Sequence, residues 1–309
     1  MSKLAHKDVL RADQFSKSEI ALIVKTAREY EQALAAGRVL EVMKGQVLST
    51  LFYEPSTRTR LSFEAAMLRL GGAVISVAEA KSSSAAKGES LYDTMKTVEG
   101  YADVIVLRHP QIGAAEEAAA ATYRPVLNAG DGAGQHPTQS LLDYYTIEKE
   151  RGTVEGLTVT LAGDLKHGRT VHSLAELLSS YDVRFVFASP TALRMPVDIV
   201  TRLKARGVSV TETESLADAI RTSDVLYMTR IQRERFEDPT EYDRLKDAYV
   251  LTRSMLAGAK GGLTVMHPLP RVNEIAIDVD DYAGAAYFRQ AANGLAIRMA
   301  LLALVTGRA

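Results

Sequence analysis

A hydroxyl-rich turn with an arginine at its centre is the first feature of this sequence that could do chemistry. The turn consists of Ser56, Thr57, Arg58 and Thr59. It lies between an apolar run that predicts a buried strand, Val47–Tyr53, and a stretch of helical spacing that ends at Gly71 and Gly72. At such a junction free backbone N–H groups, hydroxyls and a guanidinium converge, with the positive end of the helix dipole behind them. This combination predicts a phosphate-binding site.

The alternative interpretation of this turn is purely structural. Ser56 or Thr57 would cap the helix, because hydroxyl residues commonly do so, and Arg58 and Arg60 would be solvated. Two hydroxyl residues flanking an arginine in the first turn argue against it. A cation there opposes the helix dipole and is unfavourable unless an anion binds. We therefore favour the phosphate site.

Other polar residues of the first half also lie where a predicted strand ends. Arg108 directly follows the apolar run Val104–Leu107, although by itself an ion pair at the surface explains it equally well. His136 lies in a glycine-rich loop, close to Gln139. An imidazole can donate a hydrogen bond to a carbonyl oxygen at physiological pH, whereas the alternative is a loop histidine satisfied by the backbone.

A small, polar stretch without periodicity, Ala78–Gly88, predicts a mobile loop. Lys87 lies in this loop, where a lysine is ordinarily solvated. Lys87 therefore bears on function only if the loop folds over an anion.

Two features of the second half suit a different ligand. Arg169 and Arg230 each follow a predicted strand, and two arginines there suit bidentate recognition of two carboxylates. Farther along, the segment 267–270 reads His-Pro-Leu-Pro. Two prolines around one leucine predict a rigid turn that could present backbone carbonyls to an amine.

Short apolar runs alternate with helical patterns along the chain, which predicts a parallel sheet covered by helices on both faces in each half. The predicted strands of the first half are Val47–Tyr53, Ala73–Val77, Val104–Leu107 and Pro125–Ala129. Those of the second half are Leu157–Ala162, Val183–Ala188, Val208–Val210, Val225–Met228 and Leu263–Met266. Nearly all the polar clusters come just after a strand, at the edge where open α/β sheets bind ligands.

These patterns predict an α/β fold of two doubly wound domains, each with a central parallel sheet. The domains would be joined by helices, with the active site in the cleft between them. The first domain comprises residues 1–136 plus 290–309, the second comprises residues 150–289, and an interdomain helix spans residues 137–149. We place the boundary in the charged, glycine-containing stretch 150–155.

Three further segments complete the prediction. A helix is expected over Leu141–Lys149 and a closing helix over Tyr287–Val305. The polar segment Arg233–Glu241 predicts a second mobile loop.

Composition excludes several classes of protein. Thirty-seven basic against 38 acidic side chains give a net charge of −1, which argues against nucleic-acid binding. The chain has no cysteine, so disulfides and thiolate chemistry are excluded. No stretch approaches the roughly 20 apolar residues of a membrane span, and no leader is expected. We expect a cytoplasmic protein that binds neither nucleic acid nor membrane.

No cofactor or metal is expected. The six histidines do not show the helical pairing with a glutamate that zinc sites require. Gly163–Asp164 lacks the G-x-G-x-x-G turn of dinucleotide-binding proteins.

The combined motifs resemble the transcarbamoylase family, from about Leu10 to Val305. The turn at 56–60, Ser-Thr-Arg-Thr-Arg, is shared by the whole family and identifies carbamoyl phosphate. The segments 228–232 and 267–270 look like the aspartate-specific members. Ornithine-specific members have a Ser-Met-Gly element and a cysteine in His-Cys-Leu-Pro at those places, and this chain has no cysteine. One departure is that Ala86 precedes Lys87, where the family often has paired lysines.

The resemblance implies a role for each matching residue. Those implied to bind carbamoyl phosphate are Ser56, Thr57, Arg58, Thr59, Ser83, Lys87, Arg108, His136, Gln139, Pro268 and Leu269. Those implied to bind aspartate are Lys87, Arg169, Arg230, Gln232 and Leu269. The catalytic residues would be Arg58, Thr59, Lys87, Arg108 and His136. Ser83 and Lys87 would come from the loop of a neighbouring subunit, so the resemblance also implies a homotrimer with shared active sites.

The reaction implied is attack of the aspartate α-amine on the carbamoyl carbon of carbamoyl phosphate, an early step of pyrimidine biosynthesis. Regulatory chains or other enzymes of that pathway are possible partners. Two alternatives stay open: carbamoyl transfer to a different amino acid, and a non-catalytic phosphate-binding partner in a pyrimidine assembly.

Overall fold

The chain divides into two units, each built on its own sheet. The computed structural model describes residues 4–79, 84–232, 236, 238–245 and 247–309. Unit 1 comprises Met1–Leu142 and Ala292–Ala309, and unit 2 comprises Asp143–Ala291. The chain therefore passes from one unit to the other twice, once inside helix α5 (Pro137–Arg151) and once inside helix α10 (Tyr287–Val305).

Unit 1 contains a four-stranded parallel sheet in the order β2-β1-β3-β4. Its strands are β1 (Val47–Phe52), β2 (Ala73–Val77), β3 (Val104–His109) and β4 (Val126–Asp131). Its helices are α1 (Lys17–Ala35), α2 (Thr57–Arg69), α3 (Leu91–Val98) and α4 (Ala114–Ala121), followed by part of α5 and most of α10. Strands β1, β3 and β4 are nearly continuously buried, which is typical of parallel strands covered on both faces.

Unit 2 contains a five-stranded parallel sheet in the order β7-β6-β5-β8-β9. Its strands are β5 (Leu157–Ala162), β6 (Val183–Ala188), β7 (Ser209–Thr213), β8 (Val225–Met228) and β9 (Thr264–Met266). Its helices, besides part of α5, are α6 (Arg169–Leu178), α7 (Val197–Ala205), α8 (Leu216–Thr222) and α9 (Pro239–Leu245). The predicted α/β class with a parallel sheet in each half is confirmed.

In each sheet the chain adds strands first on one side of the starting strand and then on the other, which leaves one topological switch point. In unit 1 it lies between β1 and β3, where Phe52 pairs with Arg108. In unit 2 it lies between β5 and β8, where Ala162 pairs with Met228. Ligands of open α/β sheets bind beyond the carboxyl ends of the strands at these points. The sheet orders therefore select which of the strand-end residues lie side by side.

The structure refines three of the predicted segments. Helix α5 begins at Pro137, where the predicted interdomain helix 137–149 begins, and not at Leu141, where the helical spacing of apolar residues begins, because proline is well suited to the first helical position, where its missing N–H is not needed. Within the predicted loop Ala78–Gly88, Ser84–Lys87 form a 3₁₀ turn. Helix α9 begins inside the predicted loop 233–241, because the Asp238 carboxylate accepts the Thr240 N–H at 2.8 Å and caps the helix.

No helix in the described portion of the chain is long and apolar enough to cross a membrane.

A buried carboxylate at the end of the unit 2 sheet opposite the strand-end loops ties three segments together. Asp224 accepts the Thr158 N–H at 2.9 Å, Lys260 Nζ at 2.6 Å and Arg151 Nη2 at 3.2 Å. Burial raises the pKa of Asp224, but these hydrogen bonds and charges outweigh burial and hold the pKa below its ordinary value. The ionised carboxylate therefore stabilises the folded state.

Replacing Asp224 with asparagine is expected to lower the free energy of unfolding by about 1–3 kcal/mol at neutral pH. Because the pKa is depressed in the folded state, this contribution is fully present above the unfolded-state pKa of about 3.9 and is lost as the pH falls through the folded-state pKa. Urea unfolding at neutral pH and at about pH 3, below the unfolded-state pKa, measures both effects. The control is Asp218→Asn, which removes an exposed ion pair with Arg221 and should change stability by less than about 1 kcal/mol. Equal losses in the two variants would contradict the assignment.

Candidate functional site

In the turn after β1, the residue at the N-cap position of helix α2 does not cap the helix with its side chain. Ser56 occupies the N-cap position of α2, with φ −160° and ψ 100°, and its side chain makes no capping hydrogen bond to the described turn. The structural interpretation of Ser56 as the cap therefore does not hold. Thr57 and Arg58 are exposed, whereas Thr59 is buried. The first turn contains no carboxylate to balance the helix dipole, which favours anion binding.

Arg60 is distinguished from Arg58 by its surroundings. Its guanidinium donates to Glu64 Oε1 and to Ser76 Oγ, both at 3.3 Å, and Thr50 Oγ1 also donates to Glu64 Oε1 at 3.0 Å. This hydrogen-bonded group joins β1, β2 and α2. Arg60 is thus held within unit 1 rather than solvated, and Arg58 is the guanidinium exposed at the start of the helix.

Arg108 stands at the end of β3, beside the turn after β1. Its side chain is 11% exposed, and it forms an ion pair with Glu54 through Nη2. Its Nη1 donates to the Ala129 carbonyl at 3.2 Å. Arg108 thus has the ion pair that the structural interpretation predicted, and it also lies at the end of the strand, where the binding site is expected. Glu54 was missed by sequence reasoning, although a carboxylate directly after β1 was the available signal.

His136 and Gln139 lie at the start of α5, and both are buried. The His136 carbonyl accepts the N–H groups of Gln139 and Ser140 at 3.0 and 3.2 Å, so His136 belongs to the helix N-terminus rather than to a free loop. The preceding loop is held by Asp131, whose carboxylate accepts the Gln135 N–H at 2.7 Å and the Gly113 N–H at 2.9 Å. The loop after β4 therefore places His136 at the same sheet edge as Arg108.

Of the two predicted loop residues, Lys87 is exposed at the end of the 3₁₀ turn Ser84–Lys87. Ser83 lies outside the described residues. Lys87 therefore lies outside the strands and α-helices whose ends carry the other predicted residues of unit 1.

In unit 2, the loops after β5 and β8 approach each other closely. Gly163 has φ 116°, and a Cβ at this position would overlap the carbonyl oxygen of Thr229. Only glycine permits this approach. Arg169, the first residue of α6, and Arg230 therefore belong to two loops that lie side by side, and both side chains are half-buried.

The carboxylate of Asp164 lies close to the backbone of both loops. This carboxylate is fully buried and accepts the His167 N–H at 3.0 Å. The Gln232 N–H lies 3.5 Å from the same carboxylate, and Gln232 Nε2 lies 3.5 Å from the His167 carbonyl, both long for hydrogen bonds. Asp164 was not predicted as a site residue. Its signal was a carboxylate directly after a strand, beside a required glycine.

The turn after β9 has an unusual backbone. Leu269 has φ 57°, the one positive φ among the described non-glycine residues, and this conformation costs about 1–2 kcal/mol. The Leu269 N–H donates to His267 Nδ1 at 2.8 Å. Pro268 and Leu269 are half-buried beside β8, so the third strand-end segment of unit 2 adjoins Arg230.

Charge and hydrogen-bonding capacity are thus divided between the units. Unit 1 presents hydroxyls, a helix N-terminus, two arginines and an imidazole, which suit a phosphate and a carbonyl oxygen. Unit 2 presents two arginines and backbone carbonyls, which suit a dicarboxylate that carries an amine. Across the described ranges, no group of three or more His, Asp or Glu side chains could hold a metal ion.

Two family models match almost the entire chain. Residues 7–149 match the carbamoyl-phosphate-binding domain of the aspartate/ornithine carbamoyltransferases. Residues 155–305 match the aspartate/ornithine-binding domain of the same family.

Individual relatives agree. The aspartate carbamoyltransferase catalytic subunit of Thermococcus gammatolerans is 55% identical over 97% of this chain and 98% of its own length. The solved catalytic subunit of Methanocaldococcus jannaschii aspartate transcarbamoylase has a TM-score of 0.91 at 50% identity, covering 97% of this chain and 98% of that one. The Trypanosoma cruzi aspartate transcarbamoylase, solved in complex with carbamoyl phosphate and aspartate, has a TM-score of 0.92 at 42% identity, covering 96% of each chain.

Proposed function

The chain belongs to the aspartate/ornithine carbamoyltransferase family, and on that premise we propose that it transfers the carbamoyl group of carbamoyl phosphate to the α-amine of L-aspartate. The products are N-carbamoyl-L-aspartate and phosphate, and the reaction is an early step of de novo pyrimidine biosynthesis. The similarity to catalytic subunits over nearly their full length supports this assignment.

One observation carries the choice of aspartate over ornithine. Arg169 and Arg230 follow β5 and β8, which are paired strands, and their loops touch through Gly163. Two neighbouring guanidinium groups recognise two carboxylates and repel the side-chain cation of ornithine.

Unit 1 supplies the groups for carbamoyl phosphate. We assign the phosphate to the turn that contains Ser56, Thr57, Arg58 and Thr59, together with Ser83 and Lys87 of the loop. Arg108, His136 and Gln139 hold the carbamoyl group, and His136 and Thr59 lie near its carbonyl oxygen. The attraction between Arg108 and Glu54 holds the guanidinium at the end of β3, the sheet edge at which we propose that carbamoyl phosphate binds.

Unit 2 supplies the groups for aspartate. Arg169, Arg230 and Gln232 bind the two carboxylates, and the carbonyls of Pro268 and Leu269 orient the amine. Lys87 contacts both substrates. We propose that the two half-sites act on one pair of substrates.

The chemistry then depends on positioning and on charge stabilisation. The neutral amine nitrogen attacks the carbamoyl carbon, and the carbon–oxygen bond to phosphate breaks as the carbon–nitrogen bond forms. The departing phosphate takes the proton that the amine loses. Donors to the carbonyl oxygen stabilise the negative charge that develops there, and the turn at 56–59 stabilises the departing phosphate. Each donor fixed in advance lowers the barrier more than water would.

The assay that tests this function supplies carbamoyl phosphate with L-aspartate, with L-ornithine and with a panel of other amino acids. We expect carbamoyl-aspartate and phosphate in equal amounts, and no product from ornithine. Product from another amino acid alone would favour the alternative transcarbamoylase, and no product from any would favour a non-catalytic binding partner.

We further propose that the working unit is a homotrimer with shared active sites. The edge strand β2 and the outer face of α2 leave apolar side chains uncovered, since Ile75 of β2 is 40% exposed and Leu61 and Leu68 of α2 are 51% and 61% exposed. Apolar groups at a sheet edge favour burial against another chain. Lys87 is exposed on the 3₁₀ turn that follows β2, and we propose that it reaches the active site of a neighbouring subunit.

If the active sites are shared between subunits, two different inactive variants should complement each other when they are mixed. Lys87→Ala chains keep the main pocket, and His136→Ala chains keep the loop lysine. Mixed trimers therefore contain some sites with both residues intact and should recover part of the wild-type turnover. Arg58→Ala mixed with His136→Ala is the matched control, because every pocket then lacks one residue of the same half-site. Equal recovery in both mixtures, or none in the first, would contradict shared sites.

A further inference from the structure

His267 begins the turn that carries Pro268 and Leu269, and it is 1% exposed. Its Nδ1 accepts the Leu269 N–H at 2.8 Å, so Nδ1 carries no proton. Its Nε2 lies 2.6 Å from Glu274 Oε1 and donates to that carboxylate. The hydrogen bonds thus require a neutral imidazole with its proton on Nε2.

Glu274 is buried and surrounded by donors. Its second oxygen, Oε2, accepts the N–H groups of Val272 and Asn273, both at 3.1 Å. Burial raises the pKa of Glu274, but the hydrogen bonds from His267 and the backbone outweigh burial and hold the pKa below its ordinary value. An ionised carboxylate has no proton to donate, and it therefore selects the Nε2–H tautomer of His267.

The hydrogen bond to Leu269 determines where the preceding carbonyl points. The Pro268 carbonyl and the Leu269 N–H belong to one planar trans peptide and point in opposite directions. Because the N–H points inward to the buried imidazole, the Pro268 carbonyl points away from it. The left-handed conformation of Leu269, with φ 57°, is held by the same hydrogen bond.

The backbone of His267 is also anchored. Its N–H donates to Gln290 Oε1 at 2.9 Å, and Gln290 Nε2 donates to Asp143 Oδ1 at 2.6 Å. Because the backbone of His267 is anchored, the tautomer of its imidazole determines whether Nδ1 accepts the Leu269 N–H or carries a proton that repels it.

We propose that His267 and Glu274 are positioning residues for carbamoyl transfer. Glu274 keeps His267 in the Nε2–H tautomer, and His267 Nδ1 holds the Leu269 N–H so that the Pro268 carbonyl faces the attacking amine. The role of the carbonyl rests on the proposed function, whereas the tautomer does not.

If His267 serves only to satisfy Glu274, two matched variants should behave differently than if it positions Leu269. The amide oxygen of His267→Asn lies near the position of Nδ1 and can accept the Leu269 N–H. The amide nitrogen of His267→Gln reaches toward the position of Nε2 and can donate to Glu274. Positioning predicts that the asparagine variant keeps more activity, and satisfaction of Glu274 alone predicts that the glutamine variant does.

We expect kcat to fall by about 10- to 100-fold in His267→Gln and by less than about tenfold in His267→Asn. The melting temperatures should follow the opposite order, because Oε1 of the buried carboxylate keeps a side-chain donor only in the glutamine variant. Equal kcat values, or a higher kcat for the glutamine variant, would overturn the proposal.

Nitrogen-15 spectra of the histidine side chains test the tautomer directly in the wild-type chain. The His267 signals are identified by their loss in His267→Asn, and at about pH 7.5 we expect an unprotonated Nδ1 and a protonated Nε2. Glu274→Gln, which has nearly the same shape, should shift part of the population to Nδ1–H. A wild-type ring protonated at Nδ1 would overturn the proposal, whereas absence of carbamoyl transfer with the expected tautomer would count only against the proposed function.

Discussion

Replacing Arg58 with alanine is expected to lower kcat/KM by about 10²- to 10³-fold while the protein stays folded. Arg58 is exposed in the first turn of α2, beside Ser56 and the buried Thr59, and it is the guanidinium nearest the helix N-terminus. Its proposed ligand is the departing phosphate, whose charge increases as the reaction proceeds. Loss of such a donor therefore affects the transition state more than the bound substrate.

Steady-state kinetics at varied carbamoyl phosphate measure this effect. The free energy of unfolding should change by less than about 1 kcal/mol, because a cation at a helix N-terminus contributes little to stability. Arg69→Ala is the matched control, since Arg69 is exposed in the last turn of the same helix. Arg58→Lys should recover only part of the activity, because an ammonium cannot donate in the bidentate manner of a guanidinium. Near-normal turnover of Arg58→Ala would refute the assigned role.

Replacing Arg230 with alanine is expected to reduce kcat/KM for aspartate by about 10²-fold. Arg230 directly follows β8, and its loop meets the loop after β5 at Gly163. The binding free energy lost with a charged hydrogen-bond partner of a carboxylate is larger in a half-buried site than at the surface. Most of the loss should appear as a higher KM for aspartate.

The KM for carbamoyl phosphate serves as the internal reference and should change by less than about threefold, because its assigned ligands lie in unit 1. Arg221→Ala, which removes an exposed arginine paired with Asp218 in the same unit, should leave both KM values unchanged. If Arg230→Ala left the aspartate dependence unaltered, the second half-site would have to lie elsewhere.

Much of the fold was predictable because strands buried on both faces leave a clear apolar pattern. Strands β5 and β8, which are buried throughout, and helix α10 have the predicted bounds, and so do the partly exposed strands β2 and β6. The errors came from end effects. At Pro137 and at Asp238 a single residue sets the start of a helix, and neither effect appears in the hydrophobic periodicity.

The candidate site was predictable at the level of residue types but not of neighbours. That Ser56 and Arg108 follow strands was evident from the sequence, whereas the pairing of Phe52 with Arg108 depends on the order of strands in the sheet. Periodicity does not encode that order.

The supporting residues were missed for a related reason. Glu54 forms an ion pair with Arg108, which only the folded chain brings close, and Asp164 and Glu274 act through hydrogen bonds within turns whose geometry hydrophobic periodicity does not encode. An isolated carboxylate in a sequence is more often solvated, so its type alone predicts nothing.

A crystal structure with a phosphonate joined to the aspartate skeleton tests most directly whether the two half-sites serve one reaction. Our account predicts that the phosphonate oxygens lie within hydrogen-bonding distance of the turn at 56–59 and that both carboxylates of the same molecule contact Arg169 and Arg230. Arg58 and Arg230 directed into solvent, or bound to two separate molecules of the compound, would contradict it.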